Sequence, residues 1–130
     1  MKNLGILALF LTFCFTLFAG ENHSEKTETA VVDSIQTAKI TFIELGSVKC
    51  IPCKMMQPVM IEIEKQYADT VKVVFYDVWT KDGKKYGQQY SVKVIPTQVF
   101  LDENGEEFFR HQGFFSKEEI EKLIDEQLKK

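Results

Sequence analysis

Two patterns of hydrophobic positions alternate along the chain, short apolar runs and longer helical stripes. The runs at residues 39–45, 71–78 and 97–101 are rich in β-branched and aromatic side chains, which is typical of buried strands. Between the first two runs, residues 50–67 carry apolar side chains every three or four positions and predict an amphipathic helix. Its predicted inward positions are Met55, Met56, Val59, Met60, Ile63 and Tyr67.

The remaining segments predict a second helix, a hairpin and a last helix. The polar residues 81–90 predict a short helix, and Asn104-Gly105 predicts the turn of a hairpin that residues 107–112 complete. The sequence from Ser116 to Glu119 has the form of a capping box, which marks the start of a helix. The inward positions of this helix are Ile120, Leu123, Ile124 and Leu128.

The order β-α-β-α-β-β-α predicts an α/β fold. Strands that alternate with helices should pair in parallel, whereas a hairpin must be antiparallel. We therefore predict a mixed four-stranded sheet with a C-terminal antiparallel hairpin and helices on both faces.

The N-terminal residues differ from the rest of the chain. Lys2 is followed by an apolar run over residues 4–18 and then by the small residues Ala19 and Gly20, a pattern that predicts a signal peptide at 1–19. The alternative is an uncleaved membrane anchor, although the run is short for a bilayer span of about 20 residues. We predict a polar linker with a short N-terminal segment at 20–37 and the folded domain at 38–130. The expected location is the periplasm or cell envelope.

Composition and charge narrow the possible functions. The chain has 130 residues, of which 45% are hydrophobic and 27% are charged, a composition typical of one small globular domain. Its net charge is −3 and it has no basic run, so no nucleic-acid partner is expected. Of its three cysteines, Cys14 lies in the leader, where Phe13 fits poorly with a lipidation motif.

The chemistry is predicted to lie in Cys50-Ile51-Pro52-Cys53, at the start of the first helix. The helix dipole favours a thiolate on Cys50, which is the predicted nucleophile, and Cys53 is the predicted resolving thiol. Pro52 stiffens the turn, and Ile51 adds apolar surface that a substrate can contact. Thiol–disulfide exchange through a mixed disulfide follows. The alternative is half of a zinc site, which would need two more ligands, whereas His23 and His111 are distant in sequence.

The chain resembles the thioredoxin family over residues 38–128. The motifs that carry the resemblance are Cys50-Ile51-Pro52-Cys53-Lys54, Pro58, Lys85-Tyr86-Gly87, Val94-Ile95-Pro96-Thr97, Asn104-Gly105 and Gly113. The resemblance implies the thioredoxin fold and a redox-active Cys50–Cys53 disulfide, with no other cofactor and no metal. The chain departs from the family pattern at Lys49, where Trp is frequent, and at Ile51, where Gly is usual.

The resemblance also implies roles for residues outside the dithiol. Pro96 matches the cis-proline opposite the dithiol, so that Ile95 and Pro96 would contact the substrate backbone. Glu44, six residues before Cys50, matches a buried carboxylate, usually Asp, that exchanges a proton with the resolving cysteine. A buried carboxyl group has a raised pKa, which suits that role.

The leader and the resemblance together predict an exported thiol–disulfide oxidoreductase. We expect a monomeric reductase of client proteins that receives electrons from a membrane donor of the thiol:disulfide interchange type. One alternative is a disulfide-forming oxidase, although related oxidases carry a helical insertion for which this chain has no room. The other is a non-enzymatic module that binds metal or is redox-inert.

Overall fold

The computed structural model describes residues 38–130, so the predicted signal peptide at 1–19 and the predicted linker at 20–37 lie outside the described residues. Within the described part, no helix is both long enough and apolar enough to cross a membrane. The elements follow the predicted order: β1 (Ile40–Gly46), α1 (Ile51–Gln66), β2 (Val71–Asp77), α2 (Lys84–Gln89), β3 (Thr97–Leu101), β4 (Glu107–Gln112) and α3 (Lys117–Gln127).

The four strands form one sheet in the order β2-β1-β3-β4. β1 pairs in parallel with β2, whereas β3 runs antiparallel to both β1 and β4. The mixed four-stranded sheet and its C-terminal hairpin are confirmed. The predicted parallel pairing holds for β1 and β2 only, because β3 enters the sheet beside β1 in the opposite direction.

Alternate side chains of β1 point to opposite faces of the sheet, and helices cover both faces as predicted. On one face, Phe42 stacks on Phe100 at 4.7 Å between ring centroids. This cluster packs against α1 and α3; its buried members include Ile40, Phe42, Met56, Met60, Ile63, Phe100, Ile120 and Ile124. The other face packs against α2; its members include Ile43, Leu45, Val99, Tyr86 and Tyr90.

The predicted inward stripe of α1 is wrong at Met55, whose side chain is 53% exposed. Each residue advances about 100° around a helix, so Met55 lies well away from the line through Cys53, Met56 and Met60 that faces the sheet. The sequence pattern placed both Met55 and Met56 inward because both side chains are apolar. The capping box of α3 is confirmed, since the Ser116 and Glu119 side chains each accept a hydrogen bond from the other's backbone N–H.

Candidate active site

The dithiol lies where β1 leads into α1. Cys50 is the N-cap of α1 with an extended backbone, and Cys53 lies one turn into the helix. The two form a disulfide with a Cα–Cα distance of 5.2 Å. Pro52 fits in the first turn because that turn needs no backbone donor there. Cys50 is 7% exposed and Cys53 is fully buried, so Cys50 is the sulfur that another molecule can reach first.

The start of α1 favours negative charge on Cys50. The backbone N–H of Cys53 donates to Cys50 Sγ at 3.3 Å. The first turn contains no acidic residue that would oppose a thiolate. The positive end of the helix dipole acts in the same direction. In the reduced protein, a thiolate on Cys50 would therefore be stabilised by the backbone of the helix it caps.

The loop between β1 and Cys50 is held by the end of β2. Asp77 accepts hydrogen bonds from the backbone N–H of Val48 at 3.2 Å and of Trp79 at 3.0 Å. Gly46 O accepts from Val78 N at 2.9 Å. Sequence reasoning missed Asp77, which it treated only as part of a strand. The available signal was a carboxylate at the end of an otherwise apolar run.

Glu44 lies on the face of the sheet that α1 covers, and it is fully buried. Its Oε2 accepts a hydrogen bond from Gln98 Nε2 at 2.9 Å, whereas Oε1 has no hydrogen-bond partner among residues 38–130. Burial raises the pKa of Glu44 to about 7, although the hydrogen bond from Gln98 acts to lower it. A carboxyl group with this pKa exchanges protons readily near neutral pH.

Gly46 leaves a space between Glu44 and the buried cysteine. A Cβ atom placed on Gly46 would lie 3.2 Å from Cys53 Sγ and 3.3 Å from Glu44 Oε1. Both atoms therefore border the position that a side chain at residue 46 would occupy. Sequence reasoning assigned Gly46 no role in the site, since the two atoms it separates come together only in the fold.

Pro96 lies at the same end of the sheet as the dithiol. Thr97 pairs with Leu45 across β3 and β1, which places Pro96 beside Gly46. The Ile95–Pro96 peptide bond is cis, and Pro96 O accepts a hydrogen bond from Gly113 N at 2.8 Å. The other residues predicted to contact substrate differ in exposure: Ile51 is 75% exposed, Pro52 is exposed and Ile95 is partly buried.

His111, the histidine within residues 38–130, is not part of a metal-ligand cluster. His111 lies on β4, where its ring stacks on Phe115 at 4.3 Å between centroids and its Nε2 lies 3.1 Å from Phe114 O. Among residues 38–130, no group of three or more His, Cys, Asp or Glu side chains is placed to hold a metal ion.

Comparisons with known proteins find a matching family model and several similar sequences. A family model described as a thioredoxin-like domain matches residues 27–128. Thioredoxin from Bacillus subtilis is 34% identical over 79 residues, which are 61% of this chain and 73% of that protein. Thioredoxin from Acidithiobacillus ferridurans is 28% identical over 96 residues, 74% of this chain and 86% of its own. Thioredoxin H2-1 from Oryza sativa is 35% identical over 89 residues, 68% of this chain and 61% of its own.

Proposed function

Because the chain belongs to the thioredoxin family and is a thiol–disulfide oxidoreductase, we propose that it reduces disulfides of client proteins outside the cytoplasm. The observation that carries this proposal is the pairing of a slightly exposed Cys50, capping a helix, with a fully buried Cys53. One sulfur can meet a client while the other is kept for the second step.

The reaction has two exchange steps. In the reduced protein, the Cys50 thiolate attacks one sulfur of the client disulfide, forms a mixed disulfide and releases the other client sulfur as a thiolate. Cys53 then loses its proton and attacks Cys50 Sγ, which releases the second client thiolate and forms the Cys50–Cys53 disulfide. Two electrons pass from the dithiol to the client. The dithiol gives up one proton, that of Cys53, because Cys50 already reacts as a thiolate, and the two client thiolates take up that proton and a second one from solvent.

Glu44 is the proposed base for the second step. Cys53 is fully buried, so its proton has no direct route to solvent. Within the described part of the chain, Glu44 Oε1 lacks a hydrogen-bond partner, and it borders the same space at Gly46 as Cys53 Sγ. A pKa of about 7 allows the carboxylate to accept this proton and release it again at neutral pH.

The proposed client surface surrounds the dithiol. Ile51, Trp79 and Val94 are large apolar side chains that are exposed to solvent. Trp79, Val94 and Ile95 line a groove of about 680 Å³, and Ile95 directly precedes Pro96. Exposed apolar surface of this kind is typical of protein interaction sites. We infer that an extended client segment lies along Ile95 and Pro96, with apolar side chains in this groove.

The proposed direction of electron flow is from a membrane donor, through this dithiol, to the client. The apolar pattern at residues 4–18 supports export, and an exported reductase has no cytoplasmic source of electrons. The test is the equilibrium of the Cys50/Cys53 pair with glutathione. We expect a reduction potential of about −270 mV, as in reductases, whereas a value of about −120 mV would contradict the proposed direction and indicate an oxidase.

Client reduction is tested separately by trapping. Full-length protein carrying Cys53→Ser is expressed in cells of the native organism, and mixed disulfides are isolated from their envelope fraction. We expect envelope proteins joined to Cys50 that are absent when Cys50 is also changed to Ser. Failure to find the protein in the envelope, or to trap any client there, would rule out the proposed function.

Filling the space at Gly46 is expected to slow the second exchange step. Gly46→Ala places a methyl group between Cys53 Sγ and Glu44 Oε1, so we expect resolution of the mixed disulfide to slow at least about 10-fold, because loss of general base catalysis costs 100-fold or more. Crowding should also lower the free energy of unfolding by about 1–3 kcal/mol. Stopped-flow kinetics and urea denaturation measure the two effects.

Ser47→Ala is the matched control for that variant. It removes the hydrogen bond from Lys49 N to Ser47 Oγ in the same loop, but adds no atom between the sulfur and the carboxylate. The ratio of resolution rate to attack rate should therefore match that of the unmodified protein. An equal fall of this ratio in both variants would assign the effect to the loop rather than to the space.

A further inference from the structure

We propose that Gln98 is a positioning residue, which caps Glu44 Oε2 and thereby leaves Oε1 as the only carboxylate oxygen able to exchange a proton with Cys53. This inference rests on the proposed role of Glu44 as the base. Gln98 itself neither gains nor loses a proton during the reaction.

Glu44 and Gln98 are held opposite each other by the sheet. They are direct partners in the register of β1 and β3, and both side chains are fully buried. Gln98 Nε2 donates to Glu44 Oε2 at 2.9 Å and to the carbonyl oxygen of Gly113 at 3.1 Å. A buried polar residue in an otherwise apolar strand is costly unless it has such partners.

The orientation of the Gln98 amide follows from its partners. Both atoms within hydrogen-bond distance are acceptors, so the NH₂ group must face them, and a flipped amide would place Gln98 Oε1 against two oxygens. Each N–H of the amide thus has one acceptor. Glu44 Oε2 is occupied by this donor, whereas Oε1 receives no hydrogen bond from the residues that the structure describes and borders the space at Gly46.

The same amide connects the carboxylate to the loop that carries Pro96. Gly113 N donates to Pro96 O at 2.8 Å, and Gly113 O accepts from Gln98. A continuous set of hydrogen bonds therefore runs from Pro96 through Gly113 and Gln98 to Glu44. The carboxylate is held relative to both the proposed client-binding loop and the buried sulfur.

The inference is tested by following each exchange step separately. Reduced protein is mixed with an aromatic disulfide whose two thiolates absorb light, so that attack by Cys50 and resolution by Cys53 each release one coloured thiolate. The rates are measured by stopped flow between about pH 6 and 9. In Gln98→Leu, the Glu44 carboxylate loses a donor that stabilises its charged form.

We expect the pH midpoint of the resolution step in Gln98→Leu to rise by about one unit, because losing a hydrogen bond to a charged group shifts a pKa by about that amount. Resolution at pH 7 should slow several-fold, while the rate of attack by Cys50 stays within twofold. Gln98→Met, which keeps the length of the side chain without its donor, should give the same shift. If the leucine variant does not fold, the methionine variant serves alone.

Two controls separate the possible failures. Val99→Ala removes buried volume from the other face of the same strand, so it should lower stability without moving the midpoint. Glu44→Gln should remove the midpoint that belongs to Glu44 and leave only the pH dependence of the thiols, and adding Gln98→Leu to it should change nothing further. An unchanged midpoint in Gln98→Leu, with that midpoint still lost in Glu44→Gln, would overturn the role of Gln98 alone. The same midpoint in Glu44→Gln as in the unmodified protein would overturn the proposed base and this inference together.

Discussion

Replacement of Cys50 by serine is expected to abolish disulfide exchange, with a loss of at least about 1,000-fold in kcat/KM toward a protein disulfide. Cys50 is slightly exposed, at 7%, whereas Cys53 is fully buried. A serine hydroxyl cannot form the mixed disulfide, and the client cannot reach Cys53 in its place.

Cys53→Ser is expected to fail at a different step. Cys50 keeps its position at the N-cap of α1 and still attacks the client, but the mixed disulfide then has no resolving thiol. The covalent adduct should accumulate at one client per protein and show the summed mass in intact-protein mass spectrometry. Steady-state turnover should fall almost as far as in Cys50→Ser, although the first exchange keeps its rate.

Ile61→Ser is a suitable control for both cysteine variants. Ile61 lies on the same helix α1 and is 64% exposed, so serine is tolerated there without loss of core packing. Its turnover should equal that of the unmodified protein. Measurable turnover by Cys50→Ser, or release of the client by Cys53→Ser at the normal rate, would show that another group carries the exchange.

The oxidised protein is expected to become less stable as the pH rises from about 5 to 8, by about 3 kcal/mol. Burial raises the pKa of Glu44 from 4.5 to about 7 in the folded protein. Between those values the folded state binds more protons than the unfolded state, so the free energy of unfolding falls as the pH rises. The full contribution is present below pH 4.5 and is lost as the pH passes 7.

Urea denaturation of the oxidised protein at several pH values measures this slope. Glu44→Gln should remove it, since an amide does not titrate, and the variant should be more stable than the unmodified protein at pH 8. Glu119 affects stability in a different pH range. Hydrogen bonds from Ser116 lower its pKa, so its contribution to the free energy of unfolding is lost only as the pH falls into the acid range. A flat profile from pH 5 to 8 in the unmodified protein would contradict a raised pKa at Glu44.

Local sequence patterns predicted most elements to within a few residues. The apolar runs became β1, β2 and β3, and the capping box began α3 where Ser116 predicted it. The dithiol was found for the same reason, since two cysteines three residues apart at a helix start lie within one turn of chain. The error at Met55 arose because neighbouring apolar residues cannot be ranked by periodicity alone.

The sequence by itself determined the elements, the dithiol and the family, because each depends on contacts within a few residues or on a motif. Only the tertiary structure decided the surroundings of Glu44. Its partner Gln98 lies 54 positions away and meets it because β3 runs antiparallel to β1. The space at Gly46 likewise exists only where β1 and α1 pack together. Burial and partnership set the pKa of a carboxyl group, and both arise from residues that are distant in the chain.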